Sequence, residues 1–161
     1  MKTNKLVAKA ASAVAVVALC AFISCFLLQL ALIDGASMTP TYKNFQFVLI
    51  NKTDRDIAVG DVVAFKKDSV GTLIKRVAAL PGDTVKIENG KLTVNGKESP
   101  IYKDTEIKCA DVSLETVLGE DEYFVLGDNL SESKDSRYEI VGKVGSDEII
   151  GKIIPQKSFM N

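Results

Sequence analysis

The sequence contains no histidine. A hydrolase built from it must work without the side chain that usually serves as a base near neutral pH. A zinc centre with histidine ligands is excluded as well. Cysteine is scarce, with Cys20, Cys25 and Cys109 as the three. The first two lie five apart in an apolar run, a poor spacing for a helical pair, and Cys109 has no cysteine near it in the polar part. This argues against a disulfide framework and against a cysteine-rich metal centre. The formal net charge is −1, which offers no basic surface for nucleic acid. Nothing in the sequence requires a metal or other cofactor.

Charge is also missing from one stretch. Between Lys9 and Asp34 there is no charged residue, and Ser12, Ser24 and Gln29 are the clearly polar side chains. As one helix, residues 10–33 would span about 36 Å at about 1.5 Å per residue, more than the roughly 30 Å hydrocarbon core of a bilayer. Lys2, Lys5 and Lys9 precede the run, and a basic flank stays in the cytoplasm. The sequence thus predicts a cytoplasmic segment 1–9, a transmembrane helix 10–33 and an extracytoplasmic domain 34–161. The protein is expected in the cell membrane, single-pass, with its domain on the outer face. A cleavable signal peptide is the rival reading, and small residues such as Ala31 and Ala36 allow it. Length favours the anchor, because the apolar core of a signal peptide typically has about 7–15 residues.

From Phe45 onward the pattern is β. Strands are predicted at Phe45–Ile50, Asp61–Phe65, Thr72–Leu80, Thr84–Ile87, Lys91–Val94 and Tyr123–Leu126, with a closing strand within Val144–Ile154. Turn residues separate them, and Asn89-Gly90 between two alternating runs predicts a hairpin. Many short strands with frequent turns predict a mostly β domain, a small irregular barrel or sandwich. Residues 100–118 carry little pattern and are read as a possible insertion.

Three segments bear on chemistry. In Leu73-Ile74-Lys75-Arg76-Val77-Ala78-Ala79, alternation places Lys75 with Leu73, Val77 and Ala79, and Arg76 on the other face. Burying an ammonium is expensive, and burial lowers a lysine pKa, so a neutral amine there could act as a general base. The plainer alternative is an edge lysine whose stem packs while its head reaches water. Ser37 follows the apolar run closely, bracketed by Gly35 and Pro40. Serine needs a base to become a nucleophile, and without histidine a lysine is the natural one. A loop serine or helix cap is the plainer alternative. The third segment, Gly127-Asp128-Asn129 through Arg137, reads alone as a polar loop after a strand.

Together these segments resemble the sequence boxes of the bacterial type I signal peptidases. Gly35-Ala36-Ser37-Met38-Thr39-Pro40-Thr41 resembles the nucleophile box. Gly60-Asp61-Val62-Val63-Ala64-Phe65 resembles the strand box that follows. Ile74 to Asp83 resembles the box carrying the base, and Gly127-Asp128-Asn129 with Ser133, Asp135, Ser136 and Arg137 resembles the last box. Order and spacing agree, from the membrane segment to about Gly142. The resemblance implies a membrane-bound serine endopeptidase of mostly β fold, with an apolar surface that associates with the bilayer. It implies Ser37 as nucleophile and Lys75 as base. Ser133 would orient the lysine amine, Asp135 and Arg137 would shape the site from behind, and Gly35 and Met38 would flank the nucleophile. Substrates would be the signal peptides of exported preproteins, cut after Ala-x-Ala type sites through an acyl-enzyme. The partners implied are those preproteins and the lipid bilayer, with no nucleic acid, and the protein is expected to be a monomer.

Some positions depart from the pattern. Gly35 stands where some members carry a serine whose hydroxyl helps bind the oxyanion, so backbone N–H groups would have to serve. Leu130 and Ser131 replace a frequent Arg-Asp pair, and Ala79 a usual glycine. The single anchor and compact body resemble the Gram-positive branch. A self-cleaving repressor-type Ser/Lys protease would carry a DNA-binding module, which is not seen here. An accessory protein without catalysis is expected to lack the base, whereas Ser37 and Lys75 are both present. A peptidase dedicated to one pilin or toxin would carry the same dyad, and that alternative stays open.

Overall fold

The computed structural model describes residues 2–103, 105–107 and 113–155, and Cys109 lies outside the described residues. The chain opens with helix α1, Lys2–Phe22, followed by a π-helical turn, Ile23–Leu27. It then enters a strand, β1, Leu28–Leu32. The uncharged run 10–33 is therefore not one helix, as the sequence had suggested. The reason lies in Leu28-Gln29-Leu30-Ala31-Leu32, which pairs antiparallel with β2, Phe47–Asn51, at Leu28↔Asn51 through Leu32↔Phe47. That ladder satisfies the backbone outside a helix, and the turn at Leu27 marks the change. From Ala10 to Leu27 the helical part is at most about 27 Å long at about 1.5 Å per residue. No helix among the described residues is long and apolar enough to cross a membrane.

The remaining strands are β3 (Val62–Lys67), β4 (Gly71–Ala79), β5 (Thr84–Glu88), β6 (Lys91–Val94), β7 (Lys97–Glu98), β8 (Ser113–Val117), β9 (Glu122–Leu126), β10 (Val144–Gly145) and β11 (Ile149–Ile153). They form two antiparallel sheets. One has the order β1-β2-β11-β3-β4-β9-β10, and the smaller has the order β7-β6-β5-β8. The architecture is mostly β, as the turn-rich sequence predicts. The single closing strand expected within Val144–Ile154 is two short strands, β10 and β11, which pair with different neighbours. The Asn89-Gly90 hairpin forms as its residues dictate, with φ of 52° and 75° at the two positions. Part of the stretch 100–118 is built into the fold. Strand β8 pairs with β5, and Tyr102, Ile107 and Leu118 are buried.

Three apolar groups hold the sheets together. Val85, Ile87 and Leu92 of the small sheet pack with Ala78, Phe124 and Leu126, which docks it onto β4 and β9. Val63, Phe65, Val77, Val125 and Val144 form a second group. Ile33, Met38, Tyr42, Val48, Ile50 and Val62 form the third, beneath the β1–β2 connection. Burying side chains of this size contributes about 1.5–3 kcal/mol each.

Candidate active site

The site is assembled where the β1–β2 connection meets β4. Residues 33–46 form that connection. It is tied at its base, because the Ile33 N–H donates to Gln46 O at 2.9 Å and the Phe45 N–H to Ile33 O at 2.8 Å. Asn44 Oδ1 accepts from the Gly35 N–H at 2.8 Å. Gly35 has φ +102°, a conformation in which a serine would be strained. The absence of a serine there is thus matched by the backbone. Met38, 1% exposed, anchors the loop in the apolar group below it. The Thr39–Pro40 peptide is cis.

Lys75 lies in the middle of β4, opposite Val63 in the β3–β4 ladder. It is 3% exposed, and its Nζ donates to Ser37 Oγ at 2.7 Å. Burial draws its pKa down from the ordinary 10.5 to about 8, against the opposing pull of Asp135 and then Asp128. A serine hydroxyl against a buried amine of this kind can be activated for attack on a carbonyl.

Asp135 and Arg137 lie behind this pair as a buried ion pair. Arg137 Nε donates to Asp135 Oδ1 at 2.8 Å and Nη2 to Oδ2 at 3.0 Å. Asp135 Oδ2 also accepts from the Gly127 N–H at 3.0 Å, and Arg137 Nη2 donates to Leu130 O at 2.8 Å. The pair therefore shapes the whole 127–137 turn. Ser133 is buried, and its Oγ has no hydrogen-bond partner among the described residues. The expected bond from Ser133 to the lysine amine is not made in this structure.

Two further connections escaped sequence reading. Arg76, beside Lys75, binds Asp128 with Nε and Nη2 at 2.7 and 2.6 Å. The Asn129 N–H donates to Ser37 O at 3.0 Å, and its Nδ2 donates to Thr39 Oγ1 at 3.1 Å. The signal for the first was a lone arginine on the far face of the lysine strand.

A mostly β chain with a serine hydroxyl against a buried lysine amine has the arrangement of a Ser/Lys hydrolase. Comparison with known proteins takes this further. The family model described as signal peptidase, peptidase S26, matches residues 6–155. Signal peptidase I U of Bacillus subtilis is 36% identical over 132 residues, covering 74% of this chain and 70% of that one. Signal peptidase I V of the same organism is 36% identical, covering 75% and 80%. Signal peptidase IB of Staphylococcus aureus is 34% identical, covering 75% and 73%. The chain belongs to the signal peptidase family, peptidase S26. It is a serine endopeptidase of the signal peptidase I type.

Proposed function

We propose that Ser37 is the nucleophile and Lys75 the general base in the cleavage of signal peptides from exported preproteins. One observation carries this reading. The Lys75 amine lies 2.7 Å from Ser37 Oγ, in a setting that draws its pKa to about 8. The neutral amine takes the Ser37 proton as the hydroxyl attacks the scissile carbonyl. Backbone N–H groups of the Ser37 loop stabilise the oxyanion. The mature chain leaves first, and Lys75 then activates water to hydrolyse the acyl-enzyme. Ser133, Asp135 and Arg137 support the lysine, and Gly35 and Met38 set the loop. The signal peptide lies extended along a strand edge, with small residues such as Ala-x-Ala next to the cut.

The N-terminal segment holds this site at the cell membrane, with the basic end inside and the domain outside. Its exposed apolar side chains support that placement. Val14, Val17, Leu19, Phe22 and Phe26 are all more than half exposed, and they lead directly into β1. An uncovered apolar surface of this extent marks a membrane or partner contact. The protein works as a monomer.

The test is cleavage of a preprotein bearing an Ala-x-Ala site by the full-length protein in detergent, with mass spectrometry locating the cut. Wild type should cut after that motif, and Ser37→Ala and Lys75→Arg should not, because arginine stays charged. Full activity of Lys75→Arg would overturn the assignment of the base. A folded wild type that is inactive on several preproteins would favour a dedicated substrate.

A further inference from the structure

The surfaces on the two sides of the Ser37 loop differ in character. Before it, the β1–β2 hairpin turns Leu30, Leu32 and Phe47 outward, each about half exposed or more. After it, beyond Thr39 and Pro40, opens a cleft of about 510 Å³ that has polar residues, Asn129 and Ser131 among them, beside Pro40 and Leu130 in its lining. Its walls come from the turn carrying Asn129 and Ser131 and from Thr105 and Glu106 of the segment next to the small sheet. Asn129 ties the cleft to the nucleophile loop through its bonds to Ser37 O and Thr39 Oγ1.

Two carboxylates border the cleft, and they differ in kind. Asp128 is neutralised by Arg76. Glu106 is exposed and is in no ion pair among the described residues. Its position is nevertheless fixed. The next residue, Ile107, is 2% exposed, and its N–H donates to Gly90 O at 2.8 Å. The Glu106 stem runs over Gly90, where a Cβ would lie 2.9 Å from Glu106 Cγ. The cleft thus has, on a held backbone, a negative charge that no ion pair among the described residues neutralises.

Resting on the function proposed above, we propose that this cleft receives the first residues of the mature chain. Glu106 makes it favour a cationic side chain there and disfavour an acidic one. A peptide crossing Ser37 has an apolar half and a half of ordinary polarity. The apolar hairpin suits the first, and the cleft past Thr39-Pro40, of mixed lining and with a carboxylate at its border, suits the second. A solvent-exposed charge pair gives modest discrimination that salt weakens.

The experiment uses full-length protein in detergent and peptide substrates identical through the scissile bond. Their second to fourth mature positions carry one Lys, Gln or Glu. Wild type should prefer Lys over Glu by about two- to fivefold in kcat/KM at low salt, and the preference should fade at high salt. Glu106→Gln should lose the Lys-over-Glu preference. Glu106→Lys should invert it. A preference that Glu106→Gln leaves unchanged, or no preference in wild type, overturns the cleft assignment alone. Failure of wild type on all three substrates would sink the peptidase mechanism, and the cleft with it.

Discussion

Arg76 holds Asp128 through both carboxylate oxygens, one residue from Lys75 on β4 and one from Gly127 at the end of β9. Its Nη1 also donates to Gly60 O at 2.6 Å. The ion pair therefore fastens the lysine strand to the loop that meets Ser37. Both side chains are mostly buried, at 18% and 10% exposed. Removing one partner strands the other's charge.

Asp128→Asn tests that link. Breaking a fully buried pair costs about 3–5 kcal/mol, and residual solvent reduces this to roughly 2–3 kcal/mol here. Denaturant unfolding should show that loss, and preprotein cleavage should show kcat down at least tenfold. Reduced stability with wild-type kcat would confine the pair to the fold.

Ser133→Ala separates stability from catalysis. The Ser133 hydroxyl is buried without a partner among the described residues. Deleting an unsatisfied buried hydroxyl is nearly neutral or stabilising, by up to about 1 kcal/mol. The unfolding midpoint should therefore hold or rise, while kcat falls at least tenfold once nothing steadies the amine during turnover. Unchanged kcat would remove Ser133 from the site.

Local chemistry made part of this legible. Asn89-Gly90 encodes its own turn, so the β5–β6 hairpin could be read from two residues. Lys75 was marked by a charge where alternation required an apolar side chain. The end of the helical run was not legible. Leu28–Leu32 is apolar whether helical or extended, and it becomes a strand through a distant partner, Phe47–Asn51. Strand β8 has a weak pattern and is defined by pairing with β5. The Arg76–Asp128 pair joins residues far apart in the chain, and no spacing rule reaches that far.

Gly127→Ala should disrupt the site by sterics. A Cβ there would overlap Ser133 Oγ and stand 2.6 Å from Ser37 O. The backbone carbonyl cannot step aside without moving the nucleophile. Overpacking of this kind typically costs about 1–3 kcal/mol. The expected result is a lower unfolding midpoint together with a kcat loss larger than that of Ser133→Ala. The double variant Gly127→Ala with Ser133→Ala should regain little stability and no rate, because Ser133 Cβ, 2.5 Å away, and Ser37 O both still clash. Full rate in either variant would show that the loop has room to shift.

The lysine amine should set both the pH–rate profile and part of the pH–stability profile. Burial holds Lys75 near about 8 instead of 10.5. The neutral amine is the base, so kcat/KM should rise about tenfold per pH unit below about 8 and level off above it. For stability, the unfolded chain keeps this proton up to about 10.5 and the folded chain up to about 8. Between those values the unfolded state binds more protons, so stability rises with pH across that window. Below about 8 both states are protonated, and the folded one bears a buried ammonium. Lys75→Met removes that group while keeping its bulk. At pH 7 the inactive variant should therefore be more stable than wild type by roughly 2–3 kcal/mol, with the gap closing toward pH 10.5. A variant less stable than wild type at pH 7 would mean that Asp135 and Asp128 outweigh burial. The rate profile would then have to turn up well above about 8, and a profile flat from pH 6 to 9 would exclude Lys75 as the base.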